Sequence, residues 1–196
     1  MRHSFLLLLL LPGLPVAAQP VLGVKGGLNV ANVNGTASFF DPRIGFHAGV
    51  FATRDLSKRV SLQAEVVYSQ KGFRHDNAFE ASRALLPPVR FWLNAAHLDI
   101  PLVVKYRVFD RFTPYAGPQA SVTISRKASL KGFQADYVTV SGGGGMVVGM
   151  VAGLGYRITN RLGADARYTR DLYGSSMYNH AFQAGLSFEM FSGNKR

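Results

Sequence analysis

Three observations predict the fold class. Apolar and polar residues alternate along eight extended runs, short and long connections alternate between those runs, and no cysteine follows what reads as an export leader. Together they predict an all-β protein, an eight-stranded antiparallel up-and-down transmembrane β-barrel. Successive side chains of a strand point to opposite faces, so strict alternation marks a sheet with two different surroundings. A sheet that crosses lipid must close on itself, because unpaired backbone groups cannot be left in hydrocarbon.

The leader comes first. Arg2 is a positive n-region, Phe5 to Leu11 a short leucine-rich h-region, and Val16-Ala17-Ala18 supply small residues before Gln19. This reads as a Sec signal peptide over residues 1–18, cut after Ala18, with a single barrel domain over 19–196. A membrane anchor fits less well: the apolar run is short of the roughly 20 residues a helical span needs, and Pro12 and Pro15 interrupt it. An exported chain without cysteine has no disulfide framework, so stability comes from packing or from a closed sheet. The 196 residues carry 22 Lys+Arg against 11 Asp+Glu, and loss of Arg2 leaves 21 cations, a net +10. That charge favours anionic neighbours; with no nucleic-acid motif on an exported chain, acidic lipid head groups are preferred over nucleic acid.

The eight strands follow in order. Leu22 to Ala31 places Leu22, Val24, Leu28 and Val30 in one phase. Arg43 to Thr53 does so with Ile44, Phe46, Ala48 and Val50. Val60 to Lys71 sets Leu62, Ala64, Val66 and Tyr68 against Ser61, Gln63, Glu65 and Ser69. His97 to Phe112 sets Leu98, Ile100, Leu102, Val104 and Tyr106 against His97, Asp99, Lys105 and Arg107. Thr113 to Ser125 opposes Ala116, Ala120, Val122 and Ile124 to Gln119, Ser121 and Thr123. Gly145 to Ile158 is apolar in both phases, and its glycines point to a crowded inner face. Leu162 to Arg170 carries Asp165 and Arg167 in the polar phase, and His180 to Phe191 opposes Phe182, Leu186, Phe188 and Met190 to Gln183, Ser187 and Glu189. Pro101, Pro114 and Pro118 each remove a ladder donor and imply bulges, strand starts or shifted boundaries.

Short links fall near Arg54 to Arg59, Val108 to Phe112 and Thr159 to Arg161, and long ones between them, as expected for periplasmic turns and outer loops. Aromatic residues gather at both strand ends. Tyr106, Phe109, Phe112, Tyr115, Tyr156, Phe188 and Phe191 lie toward the short turns, and Phe39, Phe40, Phe46, Tyr68, Tyr168, Tyr173 and Phe182 toward the long loops. Two such girdles mark lipid–water boundaries.

The runs "LGVKGGLNVANV", "LDIPLVVKYRV", "PYAGPQASV" and "GADARYTRDL", in this order and spacing, resemble the PorT-like outer membrane beta-barrel proteins of Bacteroidetes. The resemblance spans most of the mature chain. It implies a small barrel of a Gram-negative outer membrane, folded by the barrel assembly machinery, and implies no particular activity. Such barrels often end on an aromatic residue; here Phe191 is followed by Ser-Gly-Asn-Lys-Arg.

Eight strands enclose an interior that side chains fill, which argues against an aqueous pore. The inward phase supplies Lys25, His47, Glu65, Asp99, Lys105, Arg107, Arg157, Asp165, Arg167 and Glu189. Buried charges need partners. Glu65 and Arg167, at similar heights on facing strands, are expected to pair, and so are Lys25 and Glu189 lower down, with Asp99, Lys105, Arg107 and Asp165 as further lumenal polar groups. The long loops carry Arg74, Arg83, Arg90, Arg126, Lys127 and Lys131, expected to grip lipopolysaccharide phosphates. No enzyme is expected. The histidines are isolated and Gly-x-Ser-x-Gly is absent; His97, Asp99 and Ser82 are the nearest to a triad. No cofactor or metal spacing occurs, and a monomer is expected. The role read from these residues is structural, adhesive or binding, through the long loops. Two alternatives stay open: a secreted soluble calyx holding a hydrophobic ligand, whose interior would be apolar, and a narrow gated channel.

Overall fold

The computed structural model describes residues 20–34, 41–76, 90–131, 137–142, 145–174 and 178–191. The signal peptide assigned to residues 1–18, Phe39, Phe40, Ser82 and Arg83 lie outside the described residues. Among the described residues nine strand segments follow in chain order: β1 (Val21–Asn34), β2 (Asp41–Asp55), β3 (Val60–Asp76), β4 (Arg90–Tyr106), β5 (Phe112–Lys131), β6 (Tyr137–Gly142), β7 (Met146–Arg157), β8 (Leu162–Tyr173) and β9 (Tyr178–Phe191). All pairings are antiparallel, β1 pairs with both β2 and β9, and the β4–β5 pairing completes the ring.

The barrel is eight-stranded even though nine segments are present. Both β6 and β7 pair with β5 on the same side, β6 against Ser125 to Leu130 and β7 against Phe112 to Val122. Val122 faces Met146 and Ser125 faces Gly142, so three steps on β5 meet four on its partner. One extra residue in a ladder is a bulge. Gly145, with φ +89°, occupies the left-handed region beside it.

Walking the ladder from Leu22 through Ala52, Ala64, Leu102, Pro118, Met150, Arg170 and His180 returns to Asn32, ten residues along β1. The Leu102–Pro118 step lies between the paired residues Pro101–Gln119 and Val104–Ala116, where the ladder itself is interrupted. The missing N–H of Pro118 accounts for that gap. A stagger of this size on eight strands tilts them and leaves an interior that side chains fill.

The three short turns are built alike. Leu56, Val108 and Ile158 each donate their N–H to a carbonyl four residues on, at 2.9, 3.2 and 2.9 Å. Ser57 Oγ accepts from the N–H of Val60, and Thr159 Oγ1 from that of Leu162, the local side-chain bonds that favour Ser and Thr in turns.

The two faces of the wall have opposite chemistry. Ile44 is 70% exposed and Phe182 64%, whereas Glu65 is 2% and Asp99 1%. Leu28, Val50, Leu102 and Met150 join the outer face; Lys25, Asn29, His47, Gln63, Lys71 and Gln183 are buried inside. A calyx would show the reverse, so the apolar phase is the lipid-facing one. At the short-turn end Tyr106, Phe109, Phe112, Tyr156, Phe188 and Phe191 are exposed, and toward the other end Phe46, Tyr173 and Phe182. Tyr115, grouped above with the lower girdle, is buried instead: it shares a phase with Gln119 and faces inward.

Several expected boundaries move. β4 starts at Arg90 and ends at Tyr106, so the fourth strand lies further toward the N-terminus than its alternation suggests, and β5 runs on to Lys131. Pairing between the upper parts of β3, β4 and β5 sustains these extensions.

Candidate functional site

The inward phase of β3 presents Gln63, Glu65, Ser69 and Lys71 to the interior, all buried. Glu65 stands at the centre. Arg167, from β8 on the opposite side of the ring, brings Nη1 to 2.7 Å from Glu65 Oε2. Its Nε donates to Gln183 Oε1 on neighbouring β9. Lys25 Nζ, from β1, lies 3.3 Å from the same carboxylate and 3.5 Å from Asp165 Oδ1. Gln63 Nε2 donates to Glu65 Oε1 at 2.6 Å, while its Oε1 accepts from Thr53 Oγ1 at 2.7 Å and Lys105 Nζ at 2.9 Å. Tyr115 Oη donates to Asp165 Oδ2 at 2.9 Å. A carboxylate with two cations and an amide has its charge and lone pairs answered, which burial requires.

The space for this cluster is prepared locally. Tyr115, Gly153 and Arg167 stand side by side in register on β5, β7 and β8. A Cβ on Gly153 would come within 2.7 Å of both Arg167 Cβ and Tyr115 Cζ. Glycine is therefore needed where two large side chains share one stretch of wall.

A second tier lies toward the long-strand end. Lys71 Nζ is 3.0 Å from Asp99 Oδ1, which also accepts from Ser121 Oγ at 2.7 Å; Gln119 Nε2 donates to that hydroxyl at 3.1 Å. Asn29 extends the first tier: its Nδ2 donates to Ser69 Oγ at 3.0 Å, and its Oδ1 lies 2.6 Å from His47 Nδ1.

The structure brings Glu65 and Arg167 together, and it redistributes the other expected partners. Lys25 is held by Glu65 and Asp165 rather than by Glu189, because β1 and β9 set Lys25 opposite Ser187 and Gly23 opposite Glu189. Lys105 and Asp165 face the interior near the short turns. Arg107 does not: it follows the end of β4, and its Nη1 donates to the carbonyl of Lys58 in the adjacent turn at 3.3 Å. Alternation is broken there by the turn, so the polar phase stops meaning "inside". His97 and Asp99 are both buried. Residues not singled out from sequence complete the network: Asn29, Gln63, Lys71 and Tyr115. All share the inward phase, but Asn29, Gln63 and Tyr115 are neutral and carry no sign of the partners they will meet, and Lys71 lies at the end of its predicted strand.

Of the expected basic loop residues, the described ones are on strands. Arg74 is in β3, Arg90 in β4, and Arg126, Lys127 and Lys131 in β5, on the strand extensions. Arg90 is paired in register with Lys131 and with Asp76, and Arg74 with Trp92. Arg126 and Lys127 are exposed. Basic positions are thus collected on one flank of the rim. Among the described residues, no group of three or more His, Cys, Asp or Glu side chains is placed to hold a metal.

The chain matches a family described as outer membrane protein beta-barrel domain over residues 17–176. Among solved structures, the attachment invasion locus protein Ail of Yersinia pestis is similar, with a TM-score of 0.55 at 13% identity over 87% of this chain and 98% of Ail. A second Ail structure, in complex with the heparin analogue sucrose octasulfate, gives a TM-score of 0.52 at 13% identity over the same shares. At that identity the likeness is one of fold. No match is found among curated proteins.

Proposed function

The chain belongs to the outer membrane protein beta-barrel domain family, and from that premise we propose a binding barrel whose basic rim on β3, β4 and β5 holds anionic glycolipid, with the lumen closed by side chains at rest. The observation that carries this reading is the exposed Arg126 and Lys127 on a strand extension, with the backbone positions of Arg90 and Lys131 paired further along the same two strands. Charge-assisted hydrogen bonds from several cations suit phosphate groups spaced on a surface. The sulfated sugar carried by the Ail structure belongs to the same chemical class of polyanion and supports choosing that class. Arg83 joins the proposed set from sequence alone. The role is non-enzymatic.

The same reading includes export by the Sec pathway after removal of residues 1–18, insertion by the barrel assembly machinery, a monomer in outer membrane lipid, and no binding of nucleic acid. The four motifs named above support placing the chain among the PorT-like, Bacteroidetes-type barrels.

The test is binding of refolded protein to lipopolysaccharide in nanodiscs. Arg126→Ser with Lys127→Ser is expected to weaken binding by roughly tenfold, the effect of about 1.4 kcal/mol, with salt weakening the wild type in the same direction. The heat-dependent mobility of the band in SDS should be unchanged. Equal binding by the double variant would overturn the assignment.

A further inference from the structure

At the short-turn end the interior opens into a cavity of about 90 Å³. That is several times the roughly 10–15 Å³ that a single water molecule needs. The exposed turn residues Thr159, Asn160 and Arg161 stand at its mouth, and Lys105 of β4, Thr113 of β5 and Ser187 of β9 line its wall.

The charges around this cavity do not balance. Lys25 and Asp165 lie 3.5 Å apart, and Asp165 also accepts from Tyr115 Oη at 2.9 Å, so these two charges answer each other. What remains is Lys105, Arg157 and Arg161 against Glu189, three cations to one anion. Among the described residues Lys105 Nζ forms no ion pair, and its one hydrogen bond goes to the neutral Gln63 Oε1 at 2.9 Å. An ammonium carries three donors, and a charge withdrawn from water calls for a partner.

The cavity is also kept open by a glycine that no neighbour demands. Gly155 faces inward on β7, between Thr113 of β5 and Asp165 of β8. A Cβ there would meet nothing nearer than the Thr113 carbonyl oxygen at 3.5 Å, an ordinary contact. At Gly153, one inward position deeper, it would come within 2.7 Å of Tyr115 and Arg167. Glycine weakens a strand interior and marks places where another group approaches the backbone closely. At Gly153 that group belongs to the chain; at Gly155 the space belongs to the cavity. We infer that the cavity is a binding site for a phosphate group entering from the short-turn end, with Lys105 as its anchor and Gly155 leaving the room. A phosphate group carries about −1.5 to −2 at pH 7, which matches the surplus of two cations. The hydroxyls of Thr113 and Ser187 can donate to its oxygens. The site lies at the opposite end of the barrel from the basic rim and uses none of its residues, so either reading can fail alone.

The experiment is calorimetric titration of inorganic phosphate into the full mature chain, refolded in non-ionic detergent and carrying Arg126→Ser and Lys127→Ser so that the rim does not contribute. Ionic strength is held constant with chloride, and acetate is titrated in parallel. Saturable binding of phosphate at one site is expected, with acetate weaker. Adding Lys105→Gln should weaken it by roughly tenfold or more, the scale of one lost charge-assisted hydrogen bond. Adding Gly155→Val, which fills the cavity from its wall, should abolish it. Each variant is first shown to be folded by its heat-dependent mobility in SDS; if either does not refold, Lys105→Met and Gly155→Ala take their places, both expected to weaken binding. Glycerol 3-phosphate is the second probe: tighter binding than inorganic phosphate assigns the site to phosphate esters, and weaker binding to the free ion. Absence of saturable binding, equal affinity for acetate, or binding unchanged by the folded Lys105 and Gly155 variants would overturn the inference.

Discussion

Two buried carboxylates, Glu65 and Asp99, each meet a lysine in the interior, and they are tied in different ways. Around Glu65 the partners come from β1, β3 and β8, so the contact crosses the ring. Around Asp99, itself on β4, they come from β3 and β5, its neighbours in the sheet, so the contact runs along one wall. The first depends on the closure of the barrel for its geometry. The second needs only three paired strands. A cross-ring tie reports on closure; a same-wall tie satisfies charge locally.

That contrast ranks the expected effects of substitution. Glu65→Gln removes the carboxylate shared by Arg167 and Lys25, and is expected to cost about 3–5 kcal/mol in urea-driven unfolding from lipid vesicles. The two residues should be coupled: in a double-mutant cycle, Glu65→Lys with Arg167→Glu should recover part of the loss of each single change. Additive losses would show that the contact contributes little to folding. Asp99→Asn should cost less, about 1–3 kcal/mol. Ser121 still has an oxygen to meet, and Lys71, on the side of the long extensions, can extend its stem toward the mouth. A loss as large as that at Glu65 would erase the distinction between the tiers. Tyr115→Phe removes only the 2.9 Å hydrogen bond to Asp165 and keeps the ring packed beside Val103 and Val151. About 0.5–1.5 kcal/mol is expected, measured by the same unfolding curve, with the SDS mobility shift retained.

The two ends of the molecule also differ in how far they were legible. Near the short turns the predicted strand ends fall close to the observed ones, since β3 begins at Val60, β8 at Leu162 and β9 ends at Phe191. Turn chemistry there is local: Ser57 and Thr159 bond to backbone within three residues. At the other end the extensions of β3, β4 and β5 rest on pairing with each other, not on their own pattern. That is why Arg74, Arg90, Arg126, Lys127 and Lys131 read as loop residues, and why β6 was not anticipated at all. Its six residues become a strand only because β5 runs on beside them.

What the amino-acid sequence determined by itself is the set of strands and the chemistry of each face. Period-two alternation is a property of one strand, and it separates Leu102 and Val104 from Asp99 without reference to any neighbour. The lipid-facing band and the polar interior follow from it. What only the tertiary structure decided is who meets whom inside. The stagger of ten residues around the ring, the bulges near Leu22, His97 and Gly149, and the room left by Gly153 set the heights at which inward side chains meet. They brought Lys25 to Glu65 and Asp165 instead of Glu189, turned Tyr115 inward, and left Arg107 at a turn. Register is a sum over every pairing in a closed ring, so it is visible in no single stretch of the chain.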